Sequence, residues 1–447
     1  MDIPAYVKNV MDTITRSGHQ CFLAGGCVRD HLLGQTPKDY DLTTDAHPEE
    51  VLALFGDRAR PTGLQHGTVT VMTEAESVEI TTFRTEGAYS DNRHPDSVTF
   101  VSDIHQDLAR RDFTINAMAY SPETGLVDPF GGQADLKAGL IRAVGDPDRR
   151  FEEDALRMVR AHRFAARCGF EIETQTLAAI DRNEALIANV AVERLYKEWM
   201  EILKTRPAQI AEMTGLFRPW IPELEESLQT PQNSPYHYTD VLHHILDSIS
   251  YLEPFDETLA LTLLLHDLGK PECRTTSPSG RDHFSRHPLA GEKIARRVTE
   301  ELKLSNRQKQ LIPLLVRHHD DVLGLHPGAV YDFRIRKGWS DEMMQDLFKV
   351  QYCDIMAHSP TGRKRLQRWS AATEYYAKTV KGRPLSYADL DITGHDIVAF
   401  TGLRNRQIHV ALDRILEYCF YEPQKNNRLD ILTFLLKNQK RIAQEAS

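Results

Sequence analysis

Cys21-Phe22-Leu23-Ala24-Gly25-Gly26-Cys27-Val28-Arg29-Asp30, followed shortly by Lys38-Asp39-Tyr40-Asp41-Leu42, is the stretch from which the fold of this chain is best read. A short apolar run broken by two glycines has the form of a strand that turns sharply into the next element. Glycines let a backbone come close to a polyphosphate, and an arginine three positions on can neutralise it. In an extended segment, residues i and i+2 point the same way, so Asp39 and Asp41 are expected on one face. Two carboxylates held together repel unless a cation lies between them, and Mg²⁺ typically takes one or two carboxylates plus phosphate oxygens and water.

Outward from this stretch, strand-like runs at 67–72, 77–83 and 98–101 and a helical pattern at 48–55 continue an α/β head. Glu79, inside one of these runs, could add a third acidic group from a neighbouring strand. From about residue 145 the periodicity becomes helical, at 151–168, 174–187, 192–204 and nearly everything beyond, with proline-marked breaks at 231–235, 271–278 and 327–328. The expectation from these patterns is an α/β head followed by a long all-α body.

At 447 residues, with 41% hydrophobic and 26% charged residues, the chain is long enough for several folded units, and its composition excludes disordered and collagen-like classes. No apolar run approaches the roughly 18 residues of a membrane span, and the N-terminus lacks a signal-peptide pattern. A cytoplasmic location is therefore expected. The six cysteines are scattered without a Cys-x-x-Cys pair, which argues for small buried residues rather than disulfides or a thiolate metal site. The net charge of −10 speaks against a nucleic-acid partner, but residues 361–447 carry 15 Lys+Arg against 9 Asp+Glu. A basic tail, with Arg363-Lys364-Arg365 as its densest cluster, permits salt-dependent contact with a phosphate backbone.

Further motifs follow in order: Arg110-Arg111-Asp112-Phe113-Thr114-Ile115-Asn116-Ala117, then Asp128-Pro129-Phe130-Gly131-Gly132, then Glu153-Asp154-Ala155-Leu156-Arg157-Met158-Val159-Arg160 with Arg163 beyond. On a helix, Asp154 and Arg157 would be neighbours at i and i+3, which by itself predicts only an ion pair. Taken together, the series resembles the bacterial (class II) tRNA nucleotidyltransferases and the related bacterial poly(A) polymerases. The resemblance implies an α+β chain: a polymerase β-like head with a small mixed sheet and helices (1–142), in which Asp39 and Asp41 hold catalytic Mg²⁺, then a helical neck (143–225), a helical body (226–360) and a helical tail (361–447). It implies that Gly26, Arg29 and Arg111 contact a nucleoside triphosphate and Asp112 its ribose. Asp154 and Arg157 would read the base, with Arg160 and Arg163 assisting. The implied partners are CTP, ATP and the 3′ end of tRNA or another RNA, with no membrane.

Base reading by such a pair has a physical rationale. Cytosine and adenine each present an amine donor beside a ring-nitrogen acceptor, matching a carboxylate beside a guanidinium. Uracil and guanine place a carbonyl where the carboxylate would need a donor. In this family the change from C to A is assigned to a mobile loop, here residues 85–96, which is long, polar and complete. The resemblance thus favours addition of CCA, with an A-adding enzyme or poly(A) polymerase as the alternative.

In the body, Leu265-His266-Asp267-Leu268-Gly269-Lys270 follows an apolar helical run, and at a helix end an adjacent His and Asp can turn toward one ion. With His243-His244, His287, His318-His319 and Asp354, the order resembles the HD phosphohydrolase superfamily. The resemblance carries over His244 (rather than His243), His266, Asp267 and Asp354 as ligands of a divalent transition metal or Mg²⁺, with His287 and His318 as candidates for a second ion. It implies phosphohydrolysis at RNA 3′ ends. A reading of another class makes the whole chain an HD metal phosphohydrolase whose head only holds RNA.

Overall fold

The computed structural model describes residues 1–87 and 97–446 and divides into two compact units, Met1–Glu225 and Glu226–Ser447.

The first unit is organised by one seven-stranded mixed sheet. Its strands are β1 (Cys21–Ala24), β2 (Asp41–Thr44), β3 (Ala59–Gly63), β4 (Thr68–Met72), β5 (Ser77–Thr82), β8 (Ala119–Ser121) and β9 (Gly125–Val127), in the order β3-β4-β5-β2-β1-β8-β9. Only β2 and β5 run parallel, pairing Asp41 with Glu79; the other neighbours are antiparallel. A ribbon of β6 (Arg84–Glu86) and β7 (Val98–Phe100) stands apart. It closes the two ends of the segment read as a lever loop, of which residues 88–96 lie outside the described part.

Along β4 and β5 the buried positions alternate: Val69 and Val71, then Val78 and Ile80. Such alternation leaves one face for the core and one for solvent. Helices α1 (Ala5–Arg16), α2 (Gly26–Leu32), α3 (Pro48–Phe55), α4 (Ile104–Ala109) and α5 (Gly132–Ala138) complete the head, and Phe22, Phe83, Ile104 and Leu108 belong to one core cluster. Asp128 accepts from the amides of Gly132 (2.7 Å) and Gln133 (2.9 Å), so the Asp128–Gly132 motif builds the start of α5.

The helical stretch beyond comprises α6 (Pro147–Glu153), α7 (Leu156–Cys168), α8 (Thr174–Asn183), α9 (Val192–Thr205) and α10 (Glu223–Leu228), which runs across the division between the units. One feature departs from an all-helical neck: residues 140–141 pair in parallel with 171–172.

The second unit is helical: α11 (Val241–Ile249), α12 (Glu257–Leu265), α13 (Lys270–Cys273), α14 (His287–Glu301), α15 (Asn306–His318), α16 (Pro327–Tyr331), α17 (Asp341–Ala357), α18 (Arg365–Val380), α19 (Gly394–Thr401), α20 (Arg406–Tyr421) and α21 (Arg428–Glu445). Pro271 and Pro327 lie at the first turns of short helices, where their missing N–H costs nothing. A two-residue ribbon, 275–276 with 282–283, is the exception to the all-helical expectation. All six cysteines are unpaired, four of them buried. Among the described residues no helix is long and apolar enough to cross a membrane.

Candidate active site and metal centre

A cleft of about 820 Å³ in the first unit is lined by Gly25, Gly26, Arg29, Asp39, Asp41, Arg111, Asp112, Asn116, Asp154, Arg157, Arg160 and Arg163 among others. Every residue that the resemblance assigns to nucleotide or Mg²⁺ binding lines this one cavity, whereas Glu79 does not. Gly25 sits at φ +76°, so the turn after β1 favours glycine, and a Cβ there would also displace the Nη1 end of Arg111.

The two aspartates reach the cleft differently from the expected strand alternation. β2 begins at Asp41, so Asp39 precedes the hydrogen-bonded ladder. Both nevertheless line the cleft, and Glu79 stands beside Asp41 as its ladder partner. The surrounding protein and then the Glu79 carboxylate push the Asp41 pKa up, with Asp39 adding to the rise and Arg111 opposing it. Uncompensated negative charge on adjacent strands, open to solvent, is the environment in which a divalent cation is stabilising, so the residues present fit Mg²⁺.

The arginines divide into bound and available. Arg29 is buried and committed to protein partners, giving Nη1 to Asn116 (2.6 Å) and Nε and Nη2 to Asp30 (2.9 and 2.7 Å). It therefore shapes the floor of the cleft more than it offers a free charge. Arg163 pairs with Glu198 and lies over the Phe164 ring at 4.1 Å. Arg111 is different: its Nε is buried without a hydrogen bond and its one ion pair, to Asp107, is long at 3.4 Å. It keeps donors to give to a phosphate.

Asp112 accepts from Arg160 (2.6 and 2.9 Å), from Asn116 Nδ2 (3.0 Å) and from its neighbour's amide. Burial would raise its pKa, but Arg160 and these hydrogen bonds win and hold the carboxyl down at about 2. It therefore stays an acceptor throughout the neutral range, which suits a ribose hydroxyl.

The base-reading pair needs one correction. Asp154 is not inside a helix: it caps the end of α6 at φ −146°, before α7 begins at Leu156. Its carboxylate pairs not with Arg157 but with Arg194 on α9, at 2.8 and 3.2 Å. Arg157 pairs with Glu153 (2.7 Å) and donates to the carbonyls of Arg150 and Arg110. The helix break turns the two groups into the cleft separately, each with its own anchor. Arg194 and Glu198, both on α9, were missed because nothing 40 residues downstream marks a partner. Arg194→Ala is expected to lower the preference for CTP and ATP over UTP and GTP by about 10–100-fold, the usual cost of losing an orienting partner. Single-nucleotide kcat/KM values would check this, and an unchanged ratio would contradict it.

In the second unit His266 and Asp267 lie in the turn that ends α12, as expected of a His-Asp pair at a helix end. His244, His266, Asp267 and Asp354 are all buried, with ligand atoms within 4.8 Å of one another. His244 Nε2 is 2.9 Å from Asp354 Oδ1 and 3.5 Å from Asp267 Oδ2, whereas His243 is exposed and bonded to Asp240. The choice of His244 over His243 thus agrees with the geometry. A second group, Asp267, His287 and His319, adjoins the first. Here the sequence reading chose the wrong neighbour, because His318 turns to Asp321 at 2.6 Å while His319 Nε2 faces His287 Nε2 at 3.3 Å. One residue at the end of α15 rotates a side chain by about 100°.

The donor chemistry fits a cation. His266, His287 and His319 each direct Nδ1 to a backbone carbonyl, of Leu263 (2.6 Å), Phe284 (2.8 Å) and Val316 (2.7 Å). This fixes the proton on Nδ1 and leaves three Nε2 lone pairs converging. His266 Nε2 and both oxygens of Asp267 lack hydrogen-bond alignment, although Lys270 Nζ lies 2.6 Å from Asp267 Oδ2. Gly269 is a packing requirement: a Cβ there would come within 2.4 Å of the His287 carbonyl, so only glycine lets α14 deliver its histidine. Beside the cluster a cavity of about 350 Å³ carries Lys270, Arg281, Arg286 and Arg365 on its walls.

The tail cluster is partly spent on the fold. Arg363 donates to the Tyr251 hydroxyl (3.0 Å) and Arg365 to Asp320 (2.6 Å), which leaves Lys364 exposed.

Comparison with known proteins agrees with this geometry. Residues 21–142 match the Poly A polymerase head domain, 169–228 the region described as "Probable RNA and SrmB- binding site of polymerase A", and 236–356 the HD domain. Together these take in about two-thirds of the chain. The chain is thus similar to the poly(A) polymerase family in its head and RNA-binding region, and to the HD domain beyond them. Relatives include the CCA-adding enzymes of Lactiplantibacillus plantarum, 48% identical over 47% of this chain and 51% of the relative, and of Anoxybacillus flavithermus, 46% identical over 48% and 55%. The match thus spans about half the length of these curated relatives. The fold is that of the Bacillus stearothermophilus CCA-adding enzyme solved with CTP (TM-score 0.72, 24% identity, all of both chains). It is also that of the Thermotoga maritima CCA-adding enzyme complexed with tRNA (TM-score 0.58, 19% identity, 98% of this chain and 96% of the other).

Proposed function

We propose that the chain adds C, C and A to the 3′ end of tRNA from CTP and ATP, and that its HD domain hydrolyses phosphoesters at RNA 3′ ends. The first reading is carried by the convergence of all the predicted nucleotide residues on one cleft. Arg111 binds the triphosphate over the Gly25–Gly26 turn, and Asp112 accepts from the ribose. Asp154 and Arg157, anchored by Arg194 and Glu153, present an acceptor and donors to the base edge. Asp39 and Asp41 would hold Mg²⁺, which in such a site stabilises the charge developing on the attacking and leaving oxygens. The names of the relatives, and the CTP and tRNA found with the two solved structures, support the choice of substrates.

A tRNA transcript lacking CCA, incubated with single nucleotides, tests this. CTP alone is expected to add two residues, and CTP with ATP three. Incorporation of ATP alone would assign the chain to the A-adding or poly(A)-synthesising members instead.

The second reading rests on the buried His/Asp cluster beside a cationic cavity. A nitrogen-rich ligand set favours a divalent transition metal over Mg²⁺, and such an ion would supply Lewis acidity toward a phosphoester. The cations on the cavity wall would hold the phosphate.

A further inference from the structure

We propose that His237, His244 and His358 form an additional transition-metal position in the second unit, beyond the ligands that carry the HD motif. This rests on the reading of that unit as a metal centre. Ligand atoms of the three imidazoles lie within 4.8 Å of one another. Their ring centroids are 4.5 Å apart for His237 and His358 and 4.9 Å for each other pair.

The hydrogen bonding of the cluster is incomplete in a directed way. Both ring nitrogens of His237 and Nδ1 of His244 are buried without a hydrogen-bond partner. His358 gives Nδ1 to the carbonyl of Asp354 (2.7 Å), so its Nε2 carries a lone pair. Buried imidazole nitrogens without a partner are stabilised by a cation, and a nitrogen set suits Zn²⁺, Co²⁺ or Ni²⁺ rather than Mg²⁺. His244, whose Nε2 faces Asp267 and Asp354, would join through Nδ1 as a bridging imidazolate that releases its proton on metal binding.

The fold also holds the rings together. His358 caps α17, and Gly362 packs on it so closely that a Cβ at 362 would come within 2.6 Å of the His358 Cβ and 2.9 Å of the Tyr236 carbonyl. That contact fastens the segment bearing His237 to the end of α17. His237 further lines two cavities. One is the cationic space beside Asp267 and Asp354; the other, of about 860 Å³, is lined by Gln232, Tyr238 and Asp240. An ion here would be the solvent-reachable member of the centre, placed to meet a phosphate entering past Arg281 and Arg286.

The test is cobalt binding by the full chain, with equilibrium dialysis for stoichiometry and anomalous scattering from Co²⁺-grown crystals for position. The expected result is an anomalous peak among His237, His244 and His358, and a loss of about one equivalent in His237→Ala that His243→Ala does not reproduce. Peaks confined to the Asp267 side, or equal cobalt content in His237→Ala and the parent, would overturn the proposal while leaving the HD metal centre in place. No cobalt anywhere in the second unit would overturn both. The crystallographic arm needs no substitution, so a variant that fails to fold leaves the proposal open to refutation.

Discussion

Asp41→Asn is expected to lower nucleotide incorporation by on the order of 10³-fold or more while leaving the fold intact. A residue that merely orients a metal ligand costs roughly 10–100-fold when lost, and a direct ligand should cost more. The folded state has little to lose. Asp41 opens onto the cleft at the start of β2, and its nearest charged neighbours include Glu79 and Asp39, both of which work against its ionised form. Removing that charge relieves repulsion, so the melting temperature should hold or rise slightly. Glu79→Gln is the companion, because it relieves the same repulsion from the neighbouring strand and is expected to cost far less activity. Single-turnover incorporation of CTP into a tRNA transcript measures both. An Asp41→Asn protein within tenfold of the parent would remove the basis for placing the chemistry in this cleft. Phosphoester hydrolysis that persists in a parent unable to add nucleotides would make the hydrolase the main activity.

Asp267→Asn is expected to remove the ions held by the two groups that share Asp267 and abolish the body's hydrolysis while nucleotide addition continues. Asp267 belongs to both ligand groups, with His244, His266 and Asp354 on one side and His287 and His319 on the other. No other substitution touches both. A cost in stability is also expected. Lys270 is buried, and its ammonium is balanced by Asp267 at 2.6 Å, with the neutral Gln232 (2.8 Å) and the Phe284 ring (5.5 Å) as further partners. Leaving a buried charge uncompensated typically costs about 3–5 kcal/mol. Metal content by mass spectrometry, with a thermal melt beside it, reads the two effects separately. Retention in Asp267→Asn of more metal than the one equivalent proposed at His237, His244 and His358 would refute the shared-ligand reading.

The residues of both centres were legible because short-range grammar marks them. A glycine turn after an apolar run, an Asp-x-Asp, and a His-Asp at a helix end each declare their geometry within a few positions. Partners supplied by distant segments had no such mark. Arg194 is 40 residues from Asp154, Glu198 is 35 from Arg163, and His358 is 114 from His244. Helix phase was the other weakness. His318 and His319 are indistinguishable until the end of α15 fixes which side chain turns inward. Asp154 looked like a helical residue because the α6–α7 break carries no proline or glycine, only the charged run itself. The strands β8 and β9 escaped notice because three residues are too few to show alternation.

The lining of the candidate nucleotide cleft runs from Gly25 to Arg194, and the residues proposed to hold metal in the second unit run from His237 to His358. Neither interval interrupts the other. Decay of either centre during descent would therefore leave its companion's residues untouched, and natural selection could retain, retune or discard one trade without renegotiating the other.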